Sequence, residues 1–490
     1  MNSGLRFKNT DGANDKTTDL LWYALADYNY AHRYYLNAGL SAHASSRFGK
    51  DADGLKLADA VWGLFPSIEA AWVLTNEPWF QHLVSHLSPF ASINYLRLNV
   101  GYDVTGNDDI DYTASRSYFV SRRMLHNSSS EPFATGIVIG NIGNTELKWE
   151  TTRRLTAGIE GNFLNNRLSV RLNYFKSRTS DLLSLRQLAW TSGMDANWSN
   201  EGKLENEGFD VHAVVKVLNL KNFRWELGAS LGHYKNKVTA LPDNNRSFET
   251  EVYGATIQTK VGQPVGLFYG YQTNGVYSTT AEAQADGKHI VRENGEKVYF
   301  EGGDINFVDI TPDNVIDEND RTIIGDPNPD IYGNIHTTLS WKNLTLSAMF
   351  NYSLGNDIYN YQRSLLEGGT YFLNQTTAVK GRWTAEGQKT DIPRASYNDP
   401  IGNSRFSDRW IEDGSYLRLS NVTVSYYLPI QSTYLQGLTI FGNVNNLFTV
   451  TRYLGSDPDC AMASGILTQG IDCGLLGKGR SFSLGVNINL

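Results

Sequence analysis

The feature that most constrains this chain is a two-residue alternation of apolar and polar side chains, held over unusually long stretches. Residues 154–163 set Leu155, Ala157, Ile159, Gly161 and Phe163 against Arg154, Thr156, Gly158, Glu160 and Asn162. After Leu164-Asn165-Asn166 the pattern resumes, with Leu168, Val170, Leu172 and Tyr174 opposite Arg167, Ser169, Arg171 and Asn173. A period of two marks a β-strand with one face in an apolar environment, and the interruption reads as a hairpin turn. The same grammar returns at 223–232, at 344–352 after a turn at Lys342-Asn343, and at 481–490.

Thirteen such segments can be marked: 20–31, 34–46, 61–75, 88–103, 152–163, 167–179, 208–219, 222–236, 331–341, 343–355, 409–428, 437–449 and 479–490. A soluble β-sandwich and a transmembrane β-barrel both alternate in this way. Three details favour the barrel. The segments run to about ten residues or more, whereas ordinary strands average about five or six. Arg and Glu recur deep inside them, which suits a wet lumen better than a dry core. The connections also alternate, with short turns near His32, Asn165, Lys221 and Asn343 but long links at 104–150, 180–207, 237–330, 356–408 and 450–478. Outer-membrane barrels place short turns in the periplasm and long loops outside. The expected fold is therefore all-β, a transmembrane antiparallel barrel.

An up-and-down barrel closes on an even number of strands. Thirteen segments describe an incomplete wall, with strands missing on the N-terminal side. Residues 1–19 are polar and carry no apolar leader segment, which points the same way. The expected organisation is a polar lead-in at 1–19, the remnant of an extracellular loop, followed by barrel wall and long loops at 20–490.

Composition narrows the function. A length of 490 residues would suggest about three ordinary domains. With 41% hydrophobic and 19% charged residues, the chain folds rather than staying disordered. No apolar run approaches the ~18 residues that a membrane-spanning helix needs. The net charge is −8 and the Lys and Arg residues are scattered, so no nucleic-acid partner is expected. Walker and GxGxxG patterns are missing. GLLGKGRS at 474–481 has the wrong spacing for a phosphate loop, and a strand follows it. With no nucleophile–base pairing in view, the chain reads as a non-enzyme with no required cofactor.

Several blocks resemble one family. The string NTELKWETTRRLTAGIEGNFLNNRLSVRLNYFKSRTSDLL (144–183) is similar to the mid-barrel signature of SusC/RagA-type TonB-dependent outer-membrane transporters. GQPVGLFYGYQTNGVY (262–277) and GDINFVDITPDNVIDENDRTIIGDPNPD (303–330) resemble it too. So do SDRWIEDGSYLRLSNVTVSYYLP (407–429) and GNVNNLFTVTRYLGSDPD (442–459), which resemble the family's closing strands. Near the front, AGLSAHASSRFGK (38–50) and YDVTGNDDI (102–110) fit as well.

The resemblance implies a barrel of 22 strands around an N-terminal plug, of which this chain would hold about the last thirteen strands and no plug. It further implies the outer membrane of a Gram-negative, Bacteroidetes-like bacterium, with outer-membrane lipid around the wall. The implied activity is nutrient import driven through TonB–ExbB–ExbD via the plug region, beneath a SusD-like surface lipoprotein. Oligosaccharide is the first cargo class and peptide the second. A passive porin or adhesin-like barrel and a soluble glycan-binding sandwich are the alternatives. The family usually ends in Phe, where this sequence has Leu490.

The sharpest local motif is DITPDNVIDEND, residues 309–320. Asp309, Thr311, Asp313, Val315, Asp317 and Asp320 occupy positions 1, 3, 5, 7, 9 and 12 of a calcium loop of EF-hand type, Val315 through its carbonyl. Such spacing lets six or more oxygens converge on a hard cation in one tight turn. Asn314 stands where Gly is expected and tolerates the left-handed conformation. A structural calcium ion clamping an extracellular loop is one reading. The other is a solvated acidic loop held by Asx-turns.

Other candidates are weaker. His82 and His86 share metal spacing only if their stretch is helical. Cys460 and Cys473 fall in the last long connection and would form either a surface disulfide or two free thiols. Trp190 and Trp198 in one outer loop, and Tyr371, Phe372 and Trp383 in another, either stack on cargo or pack the loops.

Overall fold

The computed structural model describes residues 16–57, 60–85, 92–125, 133–188, 190–194, 196–242, 246–430, 436–463 and 465–489. Thirteen long strands form its frame. They are β1 (Asp19–Tyr30), β2 (Tyr34–Ser45), β3 (Ala60–Val73), β4 (Ile93–Asn107), β5 (Glu150–Phe163), β6 (Leu168–Ser180) and β7 (Lys203–Asn219). After these come β8 (Phe223–Ala240), β9 (Ile331–Trp341), β10 (Leu344–Leu354), β11 (Tyr416–Leu428), β12 (Gly437–Thr451) and β13 (Ser481–Asn489). They lie side by side in chain order as an antiparallel path, and Leu55–Leu57 pairs with β3 to complete a 14-stranded sheet. Among the described residues no pairing joins β1 to β13, the two ends of the path.

All thirteen expected segments correspond to these strands, residues 88–91 of the fourth lying outside the described residues; the strands at 93–107 and 223–240 each run four residues past the expected end, and three further departures are local. Residues 409–415 are not part of a long strand. A 3-10 turn (Asp408–Trp410) and a short strand (Ile411–Asp413) precede β11, and the Asp413 carboxylate accepts a bond from the Ser415 amide that turns the chain. The 3-10 turn Leu74–Asn76 and a helix, α1 (Pro78–Ser85), precede β4, Pro78 taking the first helical position, where its missing N–H costs nothing. Strand β7 also starts at Lys203, five residues early, because its polar start pairs with both neighbours. Short turns at the other end use left-handed residues, including Leu164, Asn165 and Asn166 with φ of 55°, 57° and 61°. No helix among the described residues is long and apolar enough to cross a membrane.

Register carries one face across the whole sheet. Directly opposed residues of an antiparallel pair point to the same side. Tyr102 lies opposite Leu155, Ile159 opposite Leu172, Val211 opposite Leu231, and Ala229 opposite Ile335. The row continues through Leu339–Leu346, Leu346–Val424, Val422–Val444 and Ile440–Val486. Leu155, Ile159, Tyr174, Ile335, Val424 and Ile440 all remain exposed. The sheet thus presents a continuous apolar face that nothing among the described residues covers.

The opposite face is polar and concave. A single recess is lined by residues of β1 through β7, among them Asp27, Asn37, Glu69, Asn99, Arg154 and Asp210. Seven flat strands at ~4.8 Å spacing would hold those side chains far apart. Several rings on this face lie across glycines of the facing strand. The His336 ring covers Gly228, Tyr332 covers Gly232, and Phe441 covers Gly485; a Cβ at Gly228 would stand 2.2 Å from His336.

The buried cores sit in the long connections instead. Tyr277, Phe300, Phe307, Ile316 and Ile401 form one. Ile257, Phe268, Tyr359, Trp410 and Ile471 form a second, drawn from three connections. Phe48, Ile110, Ala114, Leu147 and Trp149 form a third.

Candidate functional site

The site is the polar wall together with the loops at its long-connection end. On the wall, the alternation that sends Leu155 and Ile159 outward brings charged partners inward in cross-strand pairs. Arg97 reaches Glu69 at 3.2 Å, Arg154 reaches Asp103 at 3.1 Å, and Arg171 reaches Glu160 at 3.2 Å. Asn173 donates to Asp210 at 2.9 Å. From β9 onward charge gives way to a ladder of small polar groups. Asn443 donates to Thr423 at 2.8 Å, Asn421 to Asn445 at 2.8 Å, and Asn445 to Ser481 at 3.0 Å. Such a surface stays wet and forms many weak, exchangeable contacts.

Above the wall, charge holds the loops to one another. Asp304 is wholly buried and receives Arg394 through two bonds, at 2.8 and 3.0 Å, and Asn403 at 2.8 Å. Arg394 also meets Glu301 at 2.9 Å. Burial works against its charge, yet Asp304 and Glu301 hold the guanidinium above its ordinary pKa. Arg363 bridges Glu367 and Glu412, both at 2.9 Å. Arg418 of β11 pairs with Asp457 and Asp459 of the last connection.

The 309–320 loop folds tightly. Asp309 Oδ2 accepts from the Asn314 amide at 2.8 Å, and Asn314 is left-handed with φ of 62°. Asp313 accepts from Val315, and Asp317 accepts from Asn319 and starts a one-turn 3-10 helix. Asp320 is buried and takes four bonds, from the amides of Ile310, Thr311 and Asp317 and from the Thr311 hydroxyl. Burial alone would raise its pKa; the bonds from Asp317, Thr311 and Ile310 outweigh that and keep the carboxyl below its usual range. Asp309 Oδ1 is buried without a hydrogen-bond partner. The loop's carboxylates do not converge within 4.8 Å of one another. Among the described residues, the one trio that does is Asp19, His43 and Asp108.

Asp19, His43 and Asp108 were not visible in the sequence, since nearly the full length of β1 to β4 separates them. Arg47 already engages Asp108 at 3.0 Å, and Asp19 lies 3.7 Å from His43. His82 lies in α1, so its stretch is helical, while His86 falls outside the described residues, as does Leu490. Cys460 and Cys473 are unlinked, and burial first, then Asp472, Asp457 and Asp459, pushes the Cys460 thiol up to about 12.

The aromatic candidates divide. Trp190 sits in a 3-10 turn (Trp190–Ser192). Trp198 packs half-buried on the Phe48–Trp149 core and donates to Asp111 at 3.4 Å. Trp383 donates to the Ser278 carbonyl at 3.0 Å and lies over Gly303. Tyr371, Phe372 and Tyr397 stand free; Phe372 is 93% exposed, and its ring lies 5.2 Å from that of Tyr397.

Residues 2–447 match the sequence family described as TonB dependent receptor-like, beta-barrel. The chain belongs to that family. Among curated relatives of this TonB-dependent receptor barrel, TonB-dependent receptor P3 of Formosa agariphila is 28% identical over 95% of this chain and 45% of its own length. TonB-dependent receptor SusC of Bacteroides thetaiotaomicron is 24% identical over 96% of this chain and 44% of its own. The chain thus spans less than half the length of these relatives. Among solved structures, the RagAB peptide transporter superposes with a TM-score of 0.76 at 22% identity, covering 96% of this chain and 48% of that one. At this identity the likeness is one of fold.

Proposed function

We propose that this chain supplies wall and outer loops to an active importer of SusC/RagA type in the outer membrane. The observation that carries the reading is the uncovered apolar face running in register across thirteen strands, with the charged, concave face behind it. Water would not tolerate that face on a soluble particle, and a bilayer covers it at no polar cost. In this reading residues 1–19 lead in from an extracellular loop and 20–490 form wall and loops. Energy comes from TonB–ExbB–ExbD, and a SusD-like lipoprotein caps the loop end. No residue performs covalent chemistry.

Oligosaccharide is the proposed cargo, with Trp190 and Trp198 in the contact set and the free Phe372–Tyr397 pair added to it. Flat aromatic faces suit stacking on sugar rings. The 309–320 loop is proposed to take a structural calcium ion, a reading supported by the left-handed Asn314 and the orphaned Asp309 Oδ1. Thr311, Asp313, the Val315 carbonyl, Asp317 and Asp320 would complete the set, supplying oxygen donors to a hard cation.

Disruption of the gene in its host tests the import reading. Uptake of labelled oligosaccharides should fall and be sensitive to a proton uncoupler in the parent strain. Uptake that survives the uncoupler would indicate a passive barrel, and loss of peptide uptake alone would reassign the cargo. For the ion, calcium should slow proteolysis at 309–320, and Asp309→Asn should abolish that protection. Protection that is independent of calcium would overturn it.

A further inference from the structure

The link between β3 and β4 carries a feature that import does not explain. The chain leaves β3 at Val73 and is pinned at once to the β1–β2 turn. Val73 N–H donates to the Arg33 carbonyl at 2.8 Å, and the Asn76 amide donates to the His32 carbonyl at 2.6 Å. Glu77, itself buried, accepts from the Tyr34 hydroxyl at 2.6 Å and from Trp72 Nε1 at 3.1 Å, with Arg33 beside it at 3.5 Å. From this anchor α1 (Pro78–Ser85) projects.

Its first turn faces the outer side of the wall. Tyr30, Tyr34 and Trp72 belong to the apolar face by register, Tyr30 opposite Tyr34 and Tyr34 opposite Trp72. Their rings form a run at that end of the sheet, Tyr30 to Tyr34 at 6.5 Å and Tyr34 to Trp72 at 6.3 Å. Trp79 of α1 extends the run, 6.3 Å from Trp72. Phe80 and Val84 are half-buried, whereas Trp79 and Leu83, one turn apart on the same side of α1, are 55% and 57% exposed. The helix carries no Lys, Arg, Asp or Glu. An eight-residue helix is short for stability in water, and a tryptophan beside a ring belt is the usual marker of a lipid headgroup boundary.

We infer that α1 lies in the headgroup layer of the inner leaflet, with Trp79 and Leu83 buried in lipid as an anchor continuous with the wall's apolar belt. The occupant of this surface is the bilayer, since the patch continues the lipid-facing face rather than opening a separate groove. This rests on the membrane reading proposed above.

Spin labels separate the two ideas. In the full-length receptor carrying Cys460→Ser and Cys473→Ser, single cysteines at Leu83, Gln81 and Leu172 would be labelled and reconstituted in phosphatidylethanolamine–phosphatidylglycerol vesicles. Collision with oxygen relative to a water-soluble nickel chelate should be several-fold higher at Leu83 than at Gln81, and highest at Leu172. A label at Leu83 as nickel-accessible as that at Gln81, beside a lipid-facing Leu172, overturns the anchor alone. Nickel access at Leu172 as well overturns the membrane reading with it.

Discussion

Leu172 in the wall keeps 40% of its surface exposed, while Phe268 in the loops keeps 0%. Both are large apolar side chains on β-strands of one chain. The difference lies in what each region was built to face. In the wall, alternation alone does the sorting, and the apolar half is left for an apolar solvent outside the protein. In the loops, apolar residues from distant connections find one another and make ordinary dry cores, closed by buried charge pairs such as Arg394–Asp304. The wall is local in sequence and open in space; the loops are the reverse. Their responses to mutation should therefore differ in kind.

The largest effect should come from the loops. Asp304→Ala strips Arg394 and Asn403 of their shared acceptor, and breaking a buried pair costs about 3–5 kcal/mol. Limited proteolysis should then cut the 237–330 and 356–408 connections rapidly, while strand pairing, read by circular dichroism, stays unchanged. Collapse of the wall signal as well would erase the distinction between the two regions. Next comes the wall. Leu172→Arg should cost about 2–4 kcal/mol for a charge near mid-bilayer, measured by denaturant unfolding in vesicles, whereas Ser169→Arg on the polar face should be close to neutral. Equal penalties at the two positions would remove the two-faced wall. A smaller effect is expected at Gly228→Ala, where the added methyl meets the His336 ring; overpacking of this kind costs about 1–3 kcal/mol.

The smallest effect is one of pH. Asp320 is held below its usual carboxyl pKa in the folded loop. Its stabilising contribution is therefore complete above the unfolded value of ~3.9 and fades as pH drops through the lower folded value. Hydrogen exchange at 309–320 should stay slow from neutral pH down to about pH 4 and accelerate only below it. In Asp320→Asn the loop should exchange faster at neutral pH and lose that acid step.

How much of this was legible follows the same division. Strand order, orientation and facing were readable because each depends on neighbours two residues away or on the next hairpin. Leu155 outward and Arg154 inward needed nothing more. Residues 409–415 misled because Trp410, Ile411 and the charges around them alternate for a few positions, yet Trp410 is buried in a loop core rather than in a long strand. The helix α1 was missed because eight residues show little periodicity. The loop cores could not be read at all: Tyr277 meets Ile401, and Ile257 meets Ile471, across separations that no local pattern encodes. Spacing did find the 309–320 turn, because the groups that fold it are neighbours, but not the Asp19–His43–Asp108 trio, whose members stand at the start of β1, in β2 and just past the end of β4.

Rings seated over glycines have a consequence for the polar face. His336, Tyr332 and Phe441 occupy hollows left by their opposite partners instead of jutting toward the axis. Each therefore stiffens the staves of the wall while taking up little clearance, so that on the import reading proposed above a bulky passenger would meet smooth panelling where upright rings would have formed baffles.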